Sequence, residues 1–197
     1  MQHRKNKSRK TSGLQQTLSK IENRINVLEE RLSPILQELA AQDESRHRVI
    51  MSCDASLTAN PGGQAAYGVL IRHPENNKTP REYSGTTNAK TCNEAELDAI
   101  YQALNVYMNI YIYNQDVSIE CIEVRSDSQL SINLINHKKG TNSPKLKHKV
   151  ACIQEISNNI AKLINKEIKY VWRRRNSTVD LKAANYLAQD VIGVKNH

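Results

Sequence analysis

Apolar side chains near the N-terminus recur at alternating spacings of four and three residues. They form a stripe made of Leu14, Leu18, Ile21, Ile25, Leu28, Leu32, Ile35 and Leu39. Such a heptad stripe predicts a helix over residues 14–41 whose apolar face packs against another helix. Arg24 and Glu29 flank the stripe, where opposite charges pair between parallel chains. Because Pro34 lacks a backbone N–H, we expect the helix to kink or break there.

Polar segments lie on both sides of this predicted helix. Residues 1–13 are basic and poor in apolar side chains, which predicts a disordered arm. The arm either lies along nucleic-acid phosphates or is only solvated. Residues 42–47 are charged and predict a linker. For the helix, we favour association with a second copy or another protein through residues 14–39; the alternative is packing on the chain's own globular domain.

From residue 48 onward the pattern changes to short apolar runs and amphipathic segments. Five strands are predicted, at residues 49–51, 67–71, 81–86, 119–124 and 167–172. Spacings of three and four predict helices at residues 97–108, 128–135, 150–164 and 181–191. A lysine-rich loop is predicted at residues 137–149. Three strands in a row, then alternating helices and strands, predict an α/β domain with a partly antiparallel sheet over residues 48–193.

Composition and charge restrict the class of protein. Of the 197 residues, 39% are hydrophobic and 24% are charged, which excludes a collagen-like or wholly disordered chain. We expect no membrane span and no secretory signal, because no apolar run is long enough. Four widely spaced cysteines match neither a zinc site nor a disulfide framework, and we therefore expect a reducing, cytoplasmic location. A net charge of +8 indicates an anionic polymer or an anionic surface as partner.

Two acidic side chains follow apolar runs of the predicted sheet. Asp54 and Asp127 each come directly after such a run. Ligands bind at the carboxyl ends of neighbouring strands in open α/β sheets, and a buried carboxylate needs a compensating charge. Their meeting at one edge predicts a divalent metal site. The alternative is that each aspartate serves as an N-cap or turn residue.

Four motifs in chain order resemble those of type 1 ribonucleases H. The matching segments are CDASLTANPGGQAAYGVLI, TCNEAELDAIYQAL, VRSDSQLSINLI and WRRRNSTVDLKAANYLA. They correspond to the family's opening strand and Asn-Pro-Gly turn, its Asn-x-x-Glu-Leu helix, its Thr-Asp-Ser-Gln motif and its Asn-x-x-x-Asp-x-x-Ala ending. The resemblance spans roughly residues 48–193 and implies a mixed five-stranded sheet flanked by helices. It also implies endonucleolytic hydrolysis of the RNA strand of RNA–DNA hybrids, leaving 5′-phosphate and 3′-hydroxyl ends.

The resemblance implies which carboxylates are catalytic and bind metal. They are Asp54, Glu96, Asp127 and Asp180. Periodicity alone leaves Glu94 as a competitor, but the family's glutamate precedes a leucine, which selects Glu96; for Asp180 the alternative is a helix N-cap. Clustered carboxylates repel one another unless cations neutralise them, and oxygen ligands suit Mg²⁺ or Mn²⁺. Two such ions would activate a water and stabilise the departing oxygen.

The resemblance further implies which residues bind the substrate. We assign this role to Asn60, Pro61, Gly62, Asn93, Ser128, Gln129, Asn176 and the loop residues Lys138, Lys139, Lys145 and Lys147. The lysines would hold the DNA backbone, although a merely solvated face is the alternative. The family's Gly-His loop is absent, because residues 173–175 are arginines that lead directly to Asn176; these arginines are candidates to contact phosphate. The alternative function is a nucleic-acid-binding subunit of a larger assembly with weak or no hydrolysis.

Overall fold

The structure, a computed structural model, describes residues 3–44, 47–74, 79–111 and 119–194. Contacts divide the chain into two units, residues 1–40 and 41–197. The elements in chain order are α1 (His3–Glu44), β1 (Arg48–Leu57), β2 (Ala65–Arg72), β3 (Arg81–Thr87), α2 (Cys92–Ile110), β4 (Cys121–Ser126), α3 (Gln129–Ile135), α4 (Pro144–Ile164), β5 (Ile168–Trp172) and α5 (Val179–Val191).

The N-terminal helix α1 is longer than the sequence predicts. It includes residues 3–13, predicted as a disordered arm, and it continues past Pro34, where we expected a kink or a break: the helix does not break, and a kink stays a prediction. Proline removes one backbone N–H, and the leucine, glutamate, glutamine and alanine residues around it are strong helix formers. The predicted linker at 42–47 begins inside this helix, and residues 45–46 lie outside the described residues.

The apolar stripe of α1 is exposed. Seven of its side chains, from Leu18 to Leu39, are 48–57% exposed. The side chain of Leu14 lies outside the described residues. A row of half-exposed leucine and isoleucine side chains is typical of a helix that packs against another apolar surface. Association through this stripe stays a prediction.

Five strands form one mixed sheet in the order β3-β2-β1-β4-β5. The β1–β2 and β2–β3 pairs are antiparallel, whereas β1–β4 and β4–β5 are parallel. The predicted partly antiparallel α/β sheet is therefore confirmed. β1 is longer than the apolar run that predicts it, because Ser52, Asp54 and Ser56 alternate with apolar residues in a strand that continues to Leu57.

The hydrophobic core lies between one face of this sheet and helices α2, α3 and α4. It includes Val49, Met51, Val69, Ile71, Ile122 and Val124 of the strands and Leu97, Ile100, Leu104, Ile132, Ile153 and Ile160 of the helices. The buried residues of α5 are outside this cluster, and α5 contacts the sheet at Gly68. A Cβ atom at Gly68 would lie 2.0 Å from the Ala184 carbonyl oxygen, so only glycine permits this close packing.

Helix α4 begins earlier than predicted. Ser143 caps the helix by accepting a hydrogen bond from Leu146 N, and Pro144 occupies the first turn. Lys145 and Lys147 therefore lie on the first two turns of α4, and not in a loop as we predicted from the lysine-rich composition. Lys138 and Lys139 remain in the segment that connects α3 to α4.

Candidate active site

The register of the sheet brings two of the predicted carboxylates side by side. β1 and β4 are parallel, with Ser52 opposite Arg125. Asp54 lies two residues beyond Ser52, and Asp127 lies two residues beyond Arg125, immediately after β4 ends. Asp54 is inside β1, opposite Gly68 of β2, which corrects the expectation that it ends the strand. The register thus places the two carboxylates next to each other, with Asp54 in β1 and Asp127 directly after the neighbouring strand β4.

The third carboxylate of the cluster belongs to Glu96 on α2. One ligand oxygen each from Asp54, Glu96 and Asp127 lies within 4.8 Å of the others. Glu94 has a different role, since its Oε2 accepts a hydrogen bond from Lys90 N beside the Thr91 N-cap. Two residues apart on a helix, the two glutamates point in different directions. The structure therefore places Glu96, and not Glu94, with the aspartates.

Burial makes this cluster costly to ionise. Asp54 is 2% exposed. Its burial and, to a smaller extent, the charge of Asp127 raise its pKa to about 7. A hydrogen bond from Ala55 N and the nearby charge of Arg175 act in the opposite direction and lower this pKa. Burial and then the charges of Asp54 and Asp127 raise the pKa of Glu96 well above its ordinary value. Within the described chain, Glu96 Oε2 is buried without a hydrogen-bond partner. An orphaned carboxylate oxygen facing two aspartates fits a bound hard cation such as Mg²⁺ or Mn²⁺.

The fourth predicted carboxylate, Asp180, lies apart from the three. It is buried at the start of α5, where both of its oxygens accept hydrogen bonds of 2.7 Å from Arg72 Nε and a terminal guanidinium nitrogen. The side chains of Arg72 and Asp180 are 1% and 4% exposed. The N-cap of α5 is Thr178, so Asp180 does not serve as the N-cap. A metal-binding role for Asp180 stays a prediction.

Two arginines, Arg175 and Arg72, form ion pairs with the carboxylates of this region. The Nε atom of Arg175 is 2.8 Å from Asp127 Oδ2, and a terminal nitrogen is 3.8 Å from Asp54 Oδ2. The sequence indicates Arg175 as a phosphate contact, and it offers no sign that the side chain meets the carboxylates. Arg72 was not singled out from the sequence, although a charge at the end of the apolar run AAYGVLIR signals a buried partner.

Comparison with known proteins identifies the family. The family model for RNase H matches residues 46–190. The chain belongs to the RNase H family. RNase H1 from the halophilic archaeon Halobacterium salinarum NRC-1 is 24% identical, with a TM-score of 0.59 over 75% of this chain and 99% of that one. LC11-RNase H1, isolated from compost by a metagenomic approach, is 25% identical, with a TM-score of 0.60 over 75% of this chain and 96% of that one.

A further solved structure shows LC11-RNase H1 in complex with an RNA/DNA hybrid. It is 24% identical to this chain, with a TM-score of 0.60 over 74% of this chain and 96% of that one. No curated protein matches the chain. Across the described residues, no helix has the length and apolar character to cross a bilayer.

In this RNase H domain, the turn that follows β1 is hydrogen-bonded to residues at the start of α2. Gly62 N donates to Lys90 O at 2.9 Å, and Asn60 Oδ1 accepts from Cys92 N at 3.3 Å. Gly62 has φ +97°, a conformation that favours glycine. Asn93 is exposed on the first turn of α2. The structure therefore brings the predicted contacts Asn60, Pro61, Gly62 and Asn93 onto one exposed edge.

The other predicted substrate contacts lie at the start of α3, between β5 and α5, and from the end of α3 into α4. Ser128 caps α3 immediately after Asp127, and Gln129 is the exposed first residue of that helix. Asn176 is exposed between β5 and α5 with φ +57°. The predicted lysines are also exposed: Lys138, Lys139, Lys145 and Lys147. Lys145 Nζ is 3.9 Å from Glu94 Oε1, which connects the start of α4 to the start of α2.

The raised pKa of Asp54 predicts a pH-dependent stability of the metal-free protein. The folded state holds this proton up to about pH 7, whereas the unfolded state loses it near pH 3.8, so the free energy of unfolding falls as the pH rises between these values. At pH 8, Asp54→Asn should therefore be more stable than the wild type by on the order of 2–4 kcal/mol. Urea denaturation in EDTA at pH 5 and pH 8 measures the difference. If the free energies of unfolding of the two proteins change equally between pH 5 and pH 8, the raised pKa of Asp54 is contradicted.

Proposed function

We propose that this protein hydrolyses the RNA strand of RNA–DNA hybrids, using divalent cations held by Asp54, Glu96 and Asp127. The single observation that supports this most is the cluster of three carboxylates on β1, α2 and the end of β4 in an RNase H domain. The complex of LC11-RNase H1 with an RNA/DNA hybrid supports the substrate class. The products would be 5′-phosphate and 3′-hydroxyl ends.

The carboxylates fit Mg²⁺, with Mn²⁺ as the second choice, because they supply only oxygen ligands. When bound, a pair of such ions activates the attacking water and stabilises the leaving oxygen. Asp54, Glu96 and Asp127 would together hold the ions, because one ligand oxygen of each lies within 4.8 Å of the others. Occupation by cations would also remove the repulsion that raises the pKa values of Asp54 and Glu96.

Substrate selection is proposed for the exposed edges on both sides of the carboxylates. Asn60, Gly62 and Asn93 offer small polar groups and backbone that can enter the wide minor groove of a hybrid and contact 2′-hydroxyl groups. Ser128, Gln129 and Asn176 would contact the RNA strand near the cleaved bond. The four exposed lysines of the α3–α4 connection and of α4 would bind the DNA strand by neutralising phosphates.

A cleavage assay on labelled nucleic acids tests this function. The substrates are an RNA–DNA hybrid, double-stranded RNA and single-stranded RNA, each with a titration of Mg²⁺ and Mn²⁺. We expect cleavage of the RNA strand of the hybrid alone, with 5′-phosphate products. Binding of the hybrid without cleavage at any concentration of either ion would instead support a nucleic-acid-binding subunit.

We also propose that α1 joins a second, parallel copy of this chain. Over residues 22–31 the two flanks of its stripe carry opposite charge, with Glu22 and Glu29 on one side and Arg24 and Arg31 on the other. A parallel partner places each flank against the oppositely charged flank of its neighbour, whereas an antiparallel partner in the same register brings like charges together. The half-exposed stripe between Leu18 and Leu39 would then be buried.

Lysine substitutions in the stripe are expected to separate the copies. The full-length wild type should have the mass of a dimer or trimer in multi-angle light scattering, and Ile25→Lys/Leu28→Lys should have that of a monomer. Two charges in an apolar seam are too costly to bury. The matched control, Asn23→Lys/Asn26→Lys, adds the same charge to the outer face of α1 and should keep the wild-type mass. A monomeric wild type would refute the association.

We further propose a reducing, cytoplasmic location. Cys53, Cys92, Cys121 and Cys152 are all free in the structure. Proteins of oxidising compartments commonly pair their cysteines in disulfides, whereas reducing compartments keep thiols free.

A further inference from the structure

The side chain of Arg175 is the cation that the structure places against the carboxylate cluster. Its Nε lies at hydrogen-bond distance from Asp127 Oδ2, 2.8 Å, and a terminal nitrogen approaches Asp54 Oδ2 at 3.8 Å. Burial alone would lower the pKa of Arg175, but the charges of Asp54, Asp127 and Glu96 raise it. The guanidinium therefore partly neutralises two of the three groups that would hold a divalent ion.

A divalent ion and this guanidinium would be attracted by the same carboxylates. A magnesium or manganese ion coordinates carboxylate oxygens directly, and its double positive charge repels a guanidinium bound to the same carboxylate. Arg175 already pairs with Asp127 Oδ2 and lies near Asp54 Oδ2. An ion held by Asp54 and Asp127 would therefore compete with Arg175 for their negative charge.

The attachment of Arg175 allows it to move. Its side chain is 60% exposed, and its Nε pairs with Asp127 Oδ2 at 2.8 Å. By contrast, the buried Arg72 binds both oxygens of Asp180. Arg175 also lies in the irregular segment between β5 and α5, next to Asn176. Its backbone belongs to a turn, which Ser177 N closes by donating a hydrogen bond to Arg174 O.

We propose that Arg175 is a tethered cation that occupies the carboxylate cluster in the metal-free protein and is displaced when a divalent ion binds. It sets the affinity of the site for metal, because each binding event must first break the Arg175–Asp127 ion pair. The inference rests on the proposed function for the identity of the ligand, a divalent cation, and not on hydrolysis itself.

Calorimetric titration of Mn²⁺ into the metal-free, full-length protein tests this competition without nucleic acid. Arg175→Ala should bind Mn²⁺ about tenfold more tightly than the wild type, because the competing cation is gone. Arg174→Ala is the matched control: it removes an equal charge from the preceding, exposed residue and should change the affinity less than about twofold. Equal or weaker binding by Arg175→Ala would overturn the proposal.

Thermal unfolding provides a second readout and distinguishes competition from a merely structural role. Without metal at pH 8, Arg175→Ala should unfold at a lower temperature than the wild type, because the carboxylates lose their counter-charge. With saturating Mn²⁺ the two proteins should unfold at the same temperature. A structural role predicts equal losses with and without Mn²⁺, which would refute displacement. Arg175→Gln replaces the alanine variant if the latter does not fold.

These measurements separate this inference from the proposed function. If Arg175→Ala binds Mn²⁺ more tightly than the wild type but the wild type cleaves no hybrid, the displacement is supported and the hydrolytic function is contradicted. Cleavage of the hybrid by a wild type whose Mn²⁺ affinity equals that of Arg175→Ala contradicts the displacement and supports the function.

Discussion

Replacing Asp54 with asparagine is expected to abolish hydrolysis of the hybrid, with a loss of about 10³-fold or more. Asp54 belongs to the cluster with Glu96 and Asp127 that would hold the ions, and a neutral amide cannot supply its negative charge. The variant should fold, since the same substitution removes a buried charge whose ionisation is unfavourable. Initial rates on a labelled RNA–DNA hybrid at saturating Mg²⁺ measure the effect.

Two controls make this result specific. Binding of the uncleaved hybrid, followed by fluorescence anisotropy, should change less than about threefold, because the proposed contacts on the exposed edges remain. Glu94→Gln changes a buried acid two residues from Glu96 that accepts a hydrogen bond from Lys90 N. Glutamine keeps that acceptor, so this variant should retain hydrolysis within a few-fold. Full activity of Asp54→Asn would refute the carboxylate centre.

Replacing Arg72 with alanine is expected to cost about 3–5 kcal/mol of folding stability. The substitution would leave the carboxylate of Asp180 buried at 4% exposure without the two short hydrogen bonds that it now accepts from Arg72. Urea denaturation of the metal-free protein measures the loss. Arg174→Ala, an exposed arginine in the same chain, should change the stability by less than about 0.5 kcal/mol. A loss below about 1 kcal/mol would show that the ion pair contributes little.

The same pair allows the role of Asp180 to be tested directly. If Arg72 holds both oxygens of Asp180, then Asp180→Asn should lower the stability but leave the affinity for Mn²⁺ unchanged. If Asp180 is a ligand, as the resemblance implies, the affinity should fall, since one carboxylate of the site is lost. The hydrogen bonds observed in the structure lead us to expect the first result. Calorimetry on the folded variant decides between the two.

Most of the fold could be predicted because its signals are local in the sequence. Alternation of apolar and polar residues indicates strands, spacings of three and four indicate helices, and Asn60 to Gly63 indicates a turn. Local signals conflict at two places. Pro34 did not break α1, although a break was one of the two outcomes expected there, and the Ser143-Pro144 cap extended α4 into a segment whose lysines indicate a loop.

The carboxylate centre could be predicted only in part. Asp54, Glu96 and Asp127 come together because parallel pairing of β1 with β4, and the packing of α2, follow from the order of the elements. Arg175 lies close to Asp127 in space, 48 positions later in the chain, and no pattern indicates its contact with the carboxylates. Charge pairs between distant segments depend on the final positions of side chains.

By itself, the sequence determined most of the secondary structure, the family motifs and the heptad stripe, because each depends on residues only a few positions apart. Only the tertiary structure decided that Asp180 pairs with Arg72, 108 residues away, and that Arg175 pairs with Asp127 of the carboxylate cluster. The physical reason is that a buried charge takes whichever opposite charge the packed helices and strands bring within hydrogen-bond distance. That distance is a property of the assembled sheet and its helices, and spacing along the chain does not contain it.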